Sequence, residues 1–517
     1  MSRHYLHELQ GFAGDALLLS FAATCLGLAL LITTRSVYNI FFHPLKSYPG
    51  PKLWAASHLP RQYYDLRGTL DFKIRDLHER YGDAIRIEPD SLSYTNSHAW
   101  KDINGYGVHN LEKDPVLHNQ VKKGIAQPGI IQADAPNHAR IRRQLAHAFS
   151  EKALRDQEPI IVRYVDTLIS QLEDVAASGE KTDILLKYTY TTVDITSELS
   201  FGTSLDVLRN DKFRPWVTIQ SNMGSILMSM KFVELYPLLT PLIRWLIPKQ
   251  VIQGMKENRV YVNRVVQDRI KEGAMEERRD FFSYILRNKE KDNEMTNSEM
   301  CETARTLILA GADTTKTLLS AVTFYLLTNP FWMRKVVQEV RSAFQHEGDI
   351  NFVDASAKLP LMLACLDEAL RLHPPGASFL FARRTSPHTT ISILGHDIPP
   401  STSVTMHPLS TFTCSANFHD PLRFHPERFL PSASEPGSPF ANDDKFAFQP
   451  FFYGPRNCIG RNLAYNKMRL ILARVLWKFD FSLCEESRNW DTHRIWMFWE
   501  DTPLWITLKI RQDLSTA

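Results

Sequence analysis

The sequence predicts a mainly α-helical protein with small β-sheets, built as one large domain behind an N-terminal transmembrane helix. Three observations predict it. Apolar residues recur every three or four positions through much of the chain. Short β-rich runs are few and lie apart from the helical stretches. One long uncharged run stands near the N-terminus. The 517 residues are 44% hydrophobic and 23% charged, a globular composition long enough to bury a large core. No Gly/Ser-rich linker or low-complexity run divides them, so residues 61–517 read as a single domain.

From Ala16 to Thr34 the run ALLLSFAATCLGLALLITT carries no charge, and as a helix it can cross a hydrocarbon core of roughly 30 Å. A cleaved signal peptide is the competing reading, but its apolar core is shorter and ends in a small-residue cleavage site. Arg35, Lys46, Lys52 and Arg61 follow the run and only Arg3 precedes it, so the positive-inside rule places the bulk of the chain in the cytosol. Residues 1–35 are expected to form a single-pass anchor. The stretch YNIFFHPLKSYPGP (Tyr38 to Pro51) then contains three prolines and Gly50. Residues 36–60 are therefore expected to form a stiff, extended connector.

Helical patterns run from Ala139 to Phe149, Ile160 to Leu172 and Tyr261 to Ile285. Strands are expected at Ala84 to Ile87, Thr390 to Leu394, Ser403 to Met406 and Trp505 to Ile510. One helix is unusually long. TNSE at Thr296 to Glu299 has the form of a capping box, and the pattern then continues to Asn329, where Pro330 stops it. At 1.5 Å per residue it spans about 45 to 50 Å, enough to form the wall of a central site.

The net charge of +3 and the lack of a basic stripe give no case for nucleic acid as a partner. Of six cysteines, Cys25, Cys301, Cys365, Cys414 and Cys484 show no CxxC pairing and no zinc-site spacing, so they read as small apolar residues in a reducing compartment. The sixth differs. Cys458 lies in FFYGPRNCIG (Phe451 to Gly460), just before a helical run, where a helix N-terminus stabilises a thiolate. Gly454 and Gly460 permit a tight turn and close approach of a flat group. Arg456 offers a fork of donors to a carboxylate, and Phe451 an apolar face behind the sulfur.

Three other motifs stand out. Glu368 and Arg371 form an i,i+3 pair that continues as RLHPP. Within the long helix, Ala310-Gly-Ala-Asp-Thr-Thr315 combines poor helix formers, and a threonine hydroxyl there can take the carbonyl of residue i−4 and open the helix locally. His138 and Arg142 share a helix face at i,i+4.

The segment from Phe451 to Gly460 resembles the haem-binding signature F-x-x-G-x-R-x-C-x-G of cytochrome P450 and matches its five defining positions. Phe452 departs from it, where relatives commonly carry a small residue. The resemblance covers essentially the whole chain after the anchor. FFHPLKSYPGP, DDKFAFQPF and GRNLAYNKMRLILARVLWKFD are most similar to fungal microsomal members that include isotrichodermin hydroxylase. It implies the cytochrome P450 fold, haem b with Cys458 as the iron ligand, and a Glu368, Arg371 and Arg428 network behind the haem, Arg428 belonging to a PERF element. It further implies an oxygen groove with Thr314 ordering water and Asp313 relaying protons, and haem propionate contacts from His138, Arg142 and Arg384, with Arg383 adjacent.

A monooxygenase inserting one oxygen atom from dioxygen into a lipophilic secondary metabolite, mycotoxins among them, follows from this resemblance. The chain has no GxGxxG unit, so NADPH and flavins are expected to act only through a separate NADPH-cytochrome P450 reductase. Arg142, Arg143, Arg461, Lys467 and Arg469 are candidates for a basic docking patch. The pocket is expected from residues 106–131, 223–236, 307–314, 377–381 and 498–504, and the location is the endoplasmic reticulum membrane. A haem-thiolate isomerase or dehydratase that does not use dioxygen and a non-catalytic haem-binding protein remain as alternatives. The Asp313-Thr314 pair favours the monooxygenase.

Overall fold

The computed structural model describes residues 2–107, 111–115, 128–221, 249–273, 278–287, 294–377 and 382–512. The first helix, α1 (Ser2–Phe41), contains an apolar stretch from Leu17 to Phe41 whose most apolar part has a mean hydropathy of 2.1 and is wholly exposed, while Asn39 near its end is buried. A helix with such a surface is stable in lipid, where its own backbone bonds are satisfied. It runs on past Arg35, because the first breaker is Pro44, which drives His43 into an extended conformation.

The connector is not extended. Residues Pro44–Ser47, Lys52–Ala56 and Leu59–Leu66 form short helical turns. Arg86 pins them: its backbone N–H donates to Pro49 O at 2.7 Å and its Nη1 to Asn39 O at 2.9 Å. Gly50 is required at this docking, since a Cβ there would lie 2.4 Å from Arg86 O.

The body is built on six principal helices: α2 (Ala135–Ala146), α3 (Glu151–Ser178), α4 (Ile184–Phe201), α5 (Asn297–Thr328), α6 (Pro360–Leu372) and α7 (Arg461–Lys478). Local chemistry sets their starts. Asp134, Ser150 and Asp183 accept from the first free N–H groups of α2, α3 and α4. The capping box of α5 is complete, with Glu299 N–H on Thr296 Oγ1 at 3.2 Å and Thr296 N–H on Glu299 Oε2 at 2.9 Å. The helix expected from Tyr261 to Ile285 is two helices, Lys249–Glu272 and Phe281–Arg287. Gly273 at φ +74° ends the first, a left-handed residue that a helical apolar pattern does not register.

Ten strands form three sheets among the described residues. One has the order β1 (Ala84–Glu88), β2 (Ser91–Tyr94), β8 (Ser403–Met406), β5 (Arg383–Arg384), β3 (Glu112–Lys113). Its β2–β8 pair is parallel, with Ser91 opposite Ser403, and the other pairs are antiparallel. The second joins β4 (Thr182–Asp183), β10 (Trp505–Ile510) and β9 (Phe479–Leu483), and the third is the hairpin of β6 (Ile391–Ile393) and β7 (His396–Ile398). The main core fills the space between α3, α5, α6 and α7 with Leu168, Leu172, Leu318, Val322, Leu366, Ile471 and Leu472, all essentially without exposure. Each such side chain contributes roughly 1.5–3 kcal/mol of burial.

Beside this core lies a buried ionic network. Arg371 donates from Nε and Nη2 to both oxygens of Glu368 at 2.8 Å, and Arg428 Nε reaches the same carboxylate at 3.2 Å. Asp443 pairs with Arg428 Nη1. Two carboxylates therefore meet two guanidiniums, and the cluster is neutral where a lone charge would be prohibitive. Arg371 Nη1 also donates to Phe412 O and Pro421 O at 2.8 and 2.6 Å, and His425 N–H to Glu368 Oε1 at 2.8 Å. The network thus fixes the irregular chain leading to the cysteine loop. Replacing Arg371 by Met leaves Glu368 buried beside a single partner and is expected to cost about 3–5 kcal/mol, read as loss of thermal stability in the purified protein.

Candidate active site

The cysteine loop is a turn forced by its own backbone. Cys458 N–H donates to Phe451 O at 2.8 Å, and α7 begins two residues after Cys458's neighbour Ile459, capped by Gly460. Gly454 has φ +84° and sits against residue 104, where a Cβ would lie 1.7 Å from Asn104 O. No side chain fits there. Phe452 is also left-handed, at φ +66°, and its ring meets Trp100 edge-on at 5.1 Å. That packing offsets the strain of a non-glycine residue in this region. Phe451 turns its ring to Tyr465 on α7, 5.1 Å away.

The Cys458 side of the loop faces open space inside the protein: the residue is enclosed by many atoms yet retains accessible surface. Burial pushes its thiol up, while the Gly460 N–H, Arg142, Lys467 and Arg461 pull it down. Those donors and cations favour the thiolate. On α5, Ala310 is exposed and Thr314 half-buried midway along a helix whose neighbours are largely buried. Thr314 Oγ1 donates to Ala310 O at 2.6 Å, and Thr315 Oγ1 to Gly311 O at 3.0 Å. Gly311 allows α5 to approach α4 closely, since a Cβ would lie 2.8 Å from Thr196 Cγ2.

Lys467 joins the two halves of the site. Its Nζ leaves α7 and donates to Gly311 O at 2.8 Å, and its positive charge acts on Cys458. Lys467 is 2% exposed, so it belongs to the interior and not to a surface docking patch. Burial lowers its pKa to about 8, with Cys458 opposing. Arg142 is likewise engaged. It clamps Asn457, beside the cysteine, through Nη1 on the carbonyl and Nη2 on Oδ1, both at 2.6 Å. Arg469 is half-buried and donates to Ser356 Oγ at 2.9 Å. Of the five basic residues considered for docking, Arg143 and Arg461 are exposed.

A second corner of the site gathers positive charge. Burial, then Arg456, Lys113, Arg142 and Arg383, push the His138 imidazole down to about 3, so it is neutral. Arg383 is 4% exposed, and burial together with Arg456 lowers it to about 10, with Glu112 opposing. Arg383 Nη1 and Arg456 Nη2 are buried without a hydrogen-bond partner, although Arg456 Nη2 lies 3.5 Å from the Glu112 carboxylate. Arg456 Nη1 donates to Ala133 O at 3.0 Å.

Arg384 takes no part in this corner. Successive strand residues point to opposite faces, and Arg384 turns to Asp90 at 2.7 Å and Asp114 at 3.3 Å. Arg383, which the sequence left adjacent and undecided, supplies the inward guanidinium.

Asp313 is buried and pairs with Lys316 one turn along, Nζ to Oδ1 at 2.7 Å. Burial raises its carboxyl; Lys316 opposes this and Asp501 adds to it. The expected pocket residues 223–236, 378–381, 108–110 and 116–127 lie outside the described residues.

These features define a helical protein with a cysteine poised to hold a flat, dianionic prosthetic group. Comparison with known families gives the same answer: the family model described as Cytochrome P450 matches residues 48–503. The chain is 39% identical to the trichothecene C-4 hydroxylase of Trichoderma arundinaceum over 481 residues, 93% of this chain and 95% of that one. It is 39% identical to the cytochrome P450 monooxygenase olcB of Penicillium canescens, covering 96% of this chain and 99% of that one. To the versicolorin B desaturase stcL of Emericella nidulans it is 37% identical, over 95% and 98% of the two chains. The chain belongs to the cytochrome P450 family and is a monooxygenase, with haem held through an axial cysteine thiolate and an N-terminal helix suited to membrane anchoring; the family generally draws its electrons from a redox partner.

Because Gly454 combines a left-handed backbone with contact against residue 104, Gly454→Ala is expected to cost upwards of about 3 kcal/mol. Thermal unfolding and the haem-to-protein ratio of the variant measure it.

Proposed function

We propose that the protein inserts one oxygen atom from dioxygen into a lipophilic secondary metabolite at the endoplasmic reticulum membrane, with electrons from NADPH-cytochrome P450 reductase. The observation that carries the reading is the link from α7 through Lys467 to Gly311, which ties Cys458 and the Asp313-Thr314 turn into one site. The haem fits the residues present. Cys458 supplies an inward-facing sulfur, and the buried nitrogens of Arg383 and Arg456 match the two propionates. His138, neutral and buried beside them, offers one ring N–H as a further donor. Relatives named for a trichothecene and for versicolorin B support a lipophilic metabolite as substrate.

When bound, a haem with a thiolate ligand supplies dioxygen activation, because the sulfur pushes electron density that favours O–O cleavage. The chain's residues do the rest. Gly460 N–H and Arg142 steady the sulfur, and Arg142 does so by gripping the preceding residue. Thr314 donates its hydroxyl hydrogen to Ala310 O, which leaves the oxygen's lone pairs to accept from a water and so order it beside α5. Asp313 accepts a proton on its carboxylate and passes it to that water, and its raised affinity for protons suits the task. The basic segment after the anchor, Arg35, Lys46 and Lys52, supports a cytosolic catalytic domain.

The domain reading is an anchor in residues 1–35, a connector in 36–60 and a catalytic domain in 61–517, with the helical part of the anchor continuing to Phe41. Between a monooxygenase and a dioxygen-independent isomerase or a haem carrier, the accessible surface of Ala310 and Thr314 on α5 and the buried carboxylate of Asp313 support the first.

The reduced carbon-monoxide difference spectrum is expected to show a Soret band at about 450 nm, and Cys458→Ser is expected to abolish it; no such band in the wild type overturns the reading. Arg383→Gln is expected to lower the haem-to-protein ratio several-fold while Arg384→Gln retains haem, since only the first removes a donor from the buried cation corner. Equal haem content in the two variants overturns the assignment of Arg383.

A further inference from the structure

Lysine inside a helix and fully buried is rare unless it is paired. Lys316 is such a residue, 1% exposed, on the turn of α5 that follows Thr314 and Thr315. Its position three residues after Asp313 brings Nζ to Asp313 Oδ1 at 2.7 Å. The same Nζ reaches Asp501 Oδ2 at 2.5 Å. Asp501 is distant in sequence and lies in the irregular chain between Trp499 and β10. One ammonium thus serves two carboxylates, one buried on the oxygen-groove helix and one partly open to solvent.

The segment that carries Asp501 is fixed on both sides. Trp499 stacks on His373 with ring centroids 3.5 Å apart, and its Nε1 donates to Pro374 O at 2.8 Å. Leu504 N–H donates to Asp183 Oδ1 at 3.0 Å. Asp501 is therefore held by the loop after α6 and by the start of α4, and through Lys316 it holds Asp313. The charge balance gives this arrangement tension: two carboxylates share one buried ammonium, so each pulls the ammonium against the other. A displacement of the Phe498–Leu504 chain changes the hold on Asp313.

We propose that Lys316 is a positioning residue for the proton relay, tying the Asp313 carboxylate to Asp501 so that the C-terminal segment sets the orientation of Asp313 toward the groove. The proposal rests on the reading of Asp313 as the proton-passing group. Lys316 touches neither substrate nor haem in this role. It acts through Asp313 and leaves the proton inventory unchanged: the proton that Asp313 passes on is regained from water.

The full-length holoprotein, reconstituted with the reductase in phospholipid vesicles and supplied with NADPH and dioxygen but no other substrate, tests this. In Lys316→Met, NADPH oxidation is expected to fall about tenfold, less than the roughly 100-fold or more that loss of an acid–base group itself costs, because Lys316 acts through Asp313. The solvent deuterium isotope effect on that rate should rise, and the carbon-monoxide band should keep its position. Lys316→Arg should recover most of the rate, and Asp501→Asn should lower it in the same direction. In an Asp313→Asn background, Lys316→Met should have no further effect. Thermal unfolding of the same set adds a readout independent of turnover: the shifts of Lys316→Met and Asp501→Asn should be non-additive in the double variant.

A wild-type rate and isotope effect in Lys316→Met overturn the proposal. So does a wild-type rate in Asp501→Asn beside a slow Lys316→Met, because Lys316 then acts within its own helix turn alone. Should Lys316→Met lose its haem, Asp501→Asn, whose side chain is partly exposed, decides the question. A wild-type protein that lacks the carbon-monoxide band overturns the parent reading, whereas additive thermal shifts overturn only the tie between Lys316 and Asp501.

Discussion

The hydrogen bond from Lys467 to the Gly311 carbonyl is the contact on which the site depends. A helix carbonyl ordinarily serves the N–H four residues on. Gly311 O serves the Thr315 hydroxyl and a lysine ammonium from α7 as well. Side-chain donors compete for a carbonyl in this way without breaking the helix here, since α5 stays helical from Asn297 to Thr328, and Gly311, having no side chain, lets Thr196 pack against it. The result places the cysteine helix and the threonine helix in a fixed relation, with Cys458 and Thr314 both presenting surface toward the interior. A mechanism needing a sulfur ligand and a proton route within one site requires that relation.

Electrostatic balance divides the interior into three regimes. Around Glu368 the charges cancel, two against two, and the network is a rigid support. Around Asp313 two carboxylates share Lys316, leaving a negative excess that keeps a carboxylate responsive to protons. Around His138 burial and four cations keep the imidazole neutral, with Glu112 facing Arg456 at the edge of the cluster. On the proposed reading, support, proton handling and anion binding thus occupy separate sites, each with the sign of charge its task needs. A single buried substitution in one region shifts that local balance without necessarily reaching the others.

Features encoded by short-range patterns were legible in the sequence. The capping box of α5 depends on Thr296 and Glu299 alone, and the structure contains both of its bonds. The i,i+3 spacing of Glu368 and Arg371 fixes their pairing on one helix face. What escaped were contacts that only the tertiary fold decides. Asp443 completes the network from far along the chain; it opens the DDKFAFQPF segment, whose likeness to relatives was visible, but no spacing pattern pairs it with Arg428. Arg383 and Arg384 differ in role by the pleat of a two-residue strand, too short for a pattern. Lys467 looked like a surface cation because lysines usually are, and α7 has residues of both kinds on several sides. A partial signal was present at Lys316: a charged residue amid TTKTLLSAV, a stretch otherwise without charge, in a helix expected to line a central site.

The same logic explains why the anchor and connector were read differently from how they fold. Composition gave the membrane-spanning helix, because a lipid-facing surface has to be apolar at nearly every position. The connector's prolines exclude a long helix, and they do so here: each short turn is entered by or lies beside a proline. They do not dictate an extended chain, since proline at the first positions of a turn has the φ that a turn needs. The shape is then settled by Arg86, whose donors reach the backbone on both sides of Pro44. Arg86 is braced by its own segment, with Nε and Nη2 on Pro89 O, and its Nη1 and backbone N–H act as a docking peg that holds the end of α1 against β1. The direction in which α1 leaves the body is therefore a property of that arginine's contacts more than of the connector's stiffness.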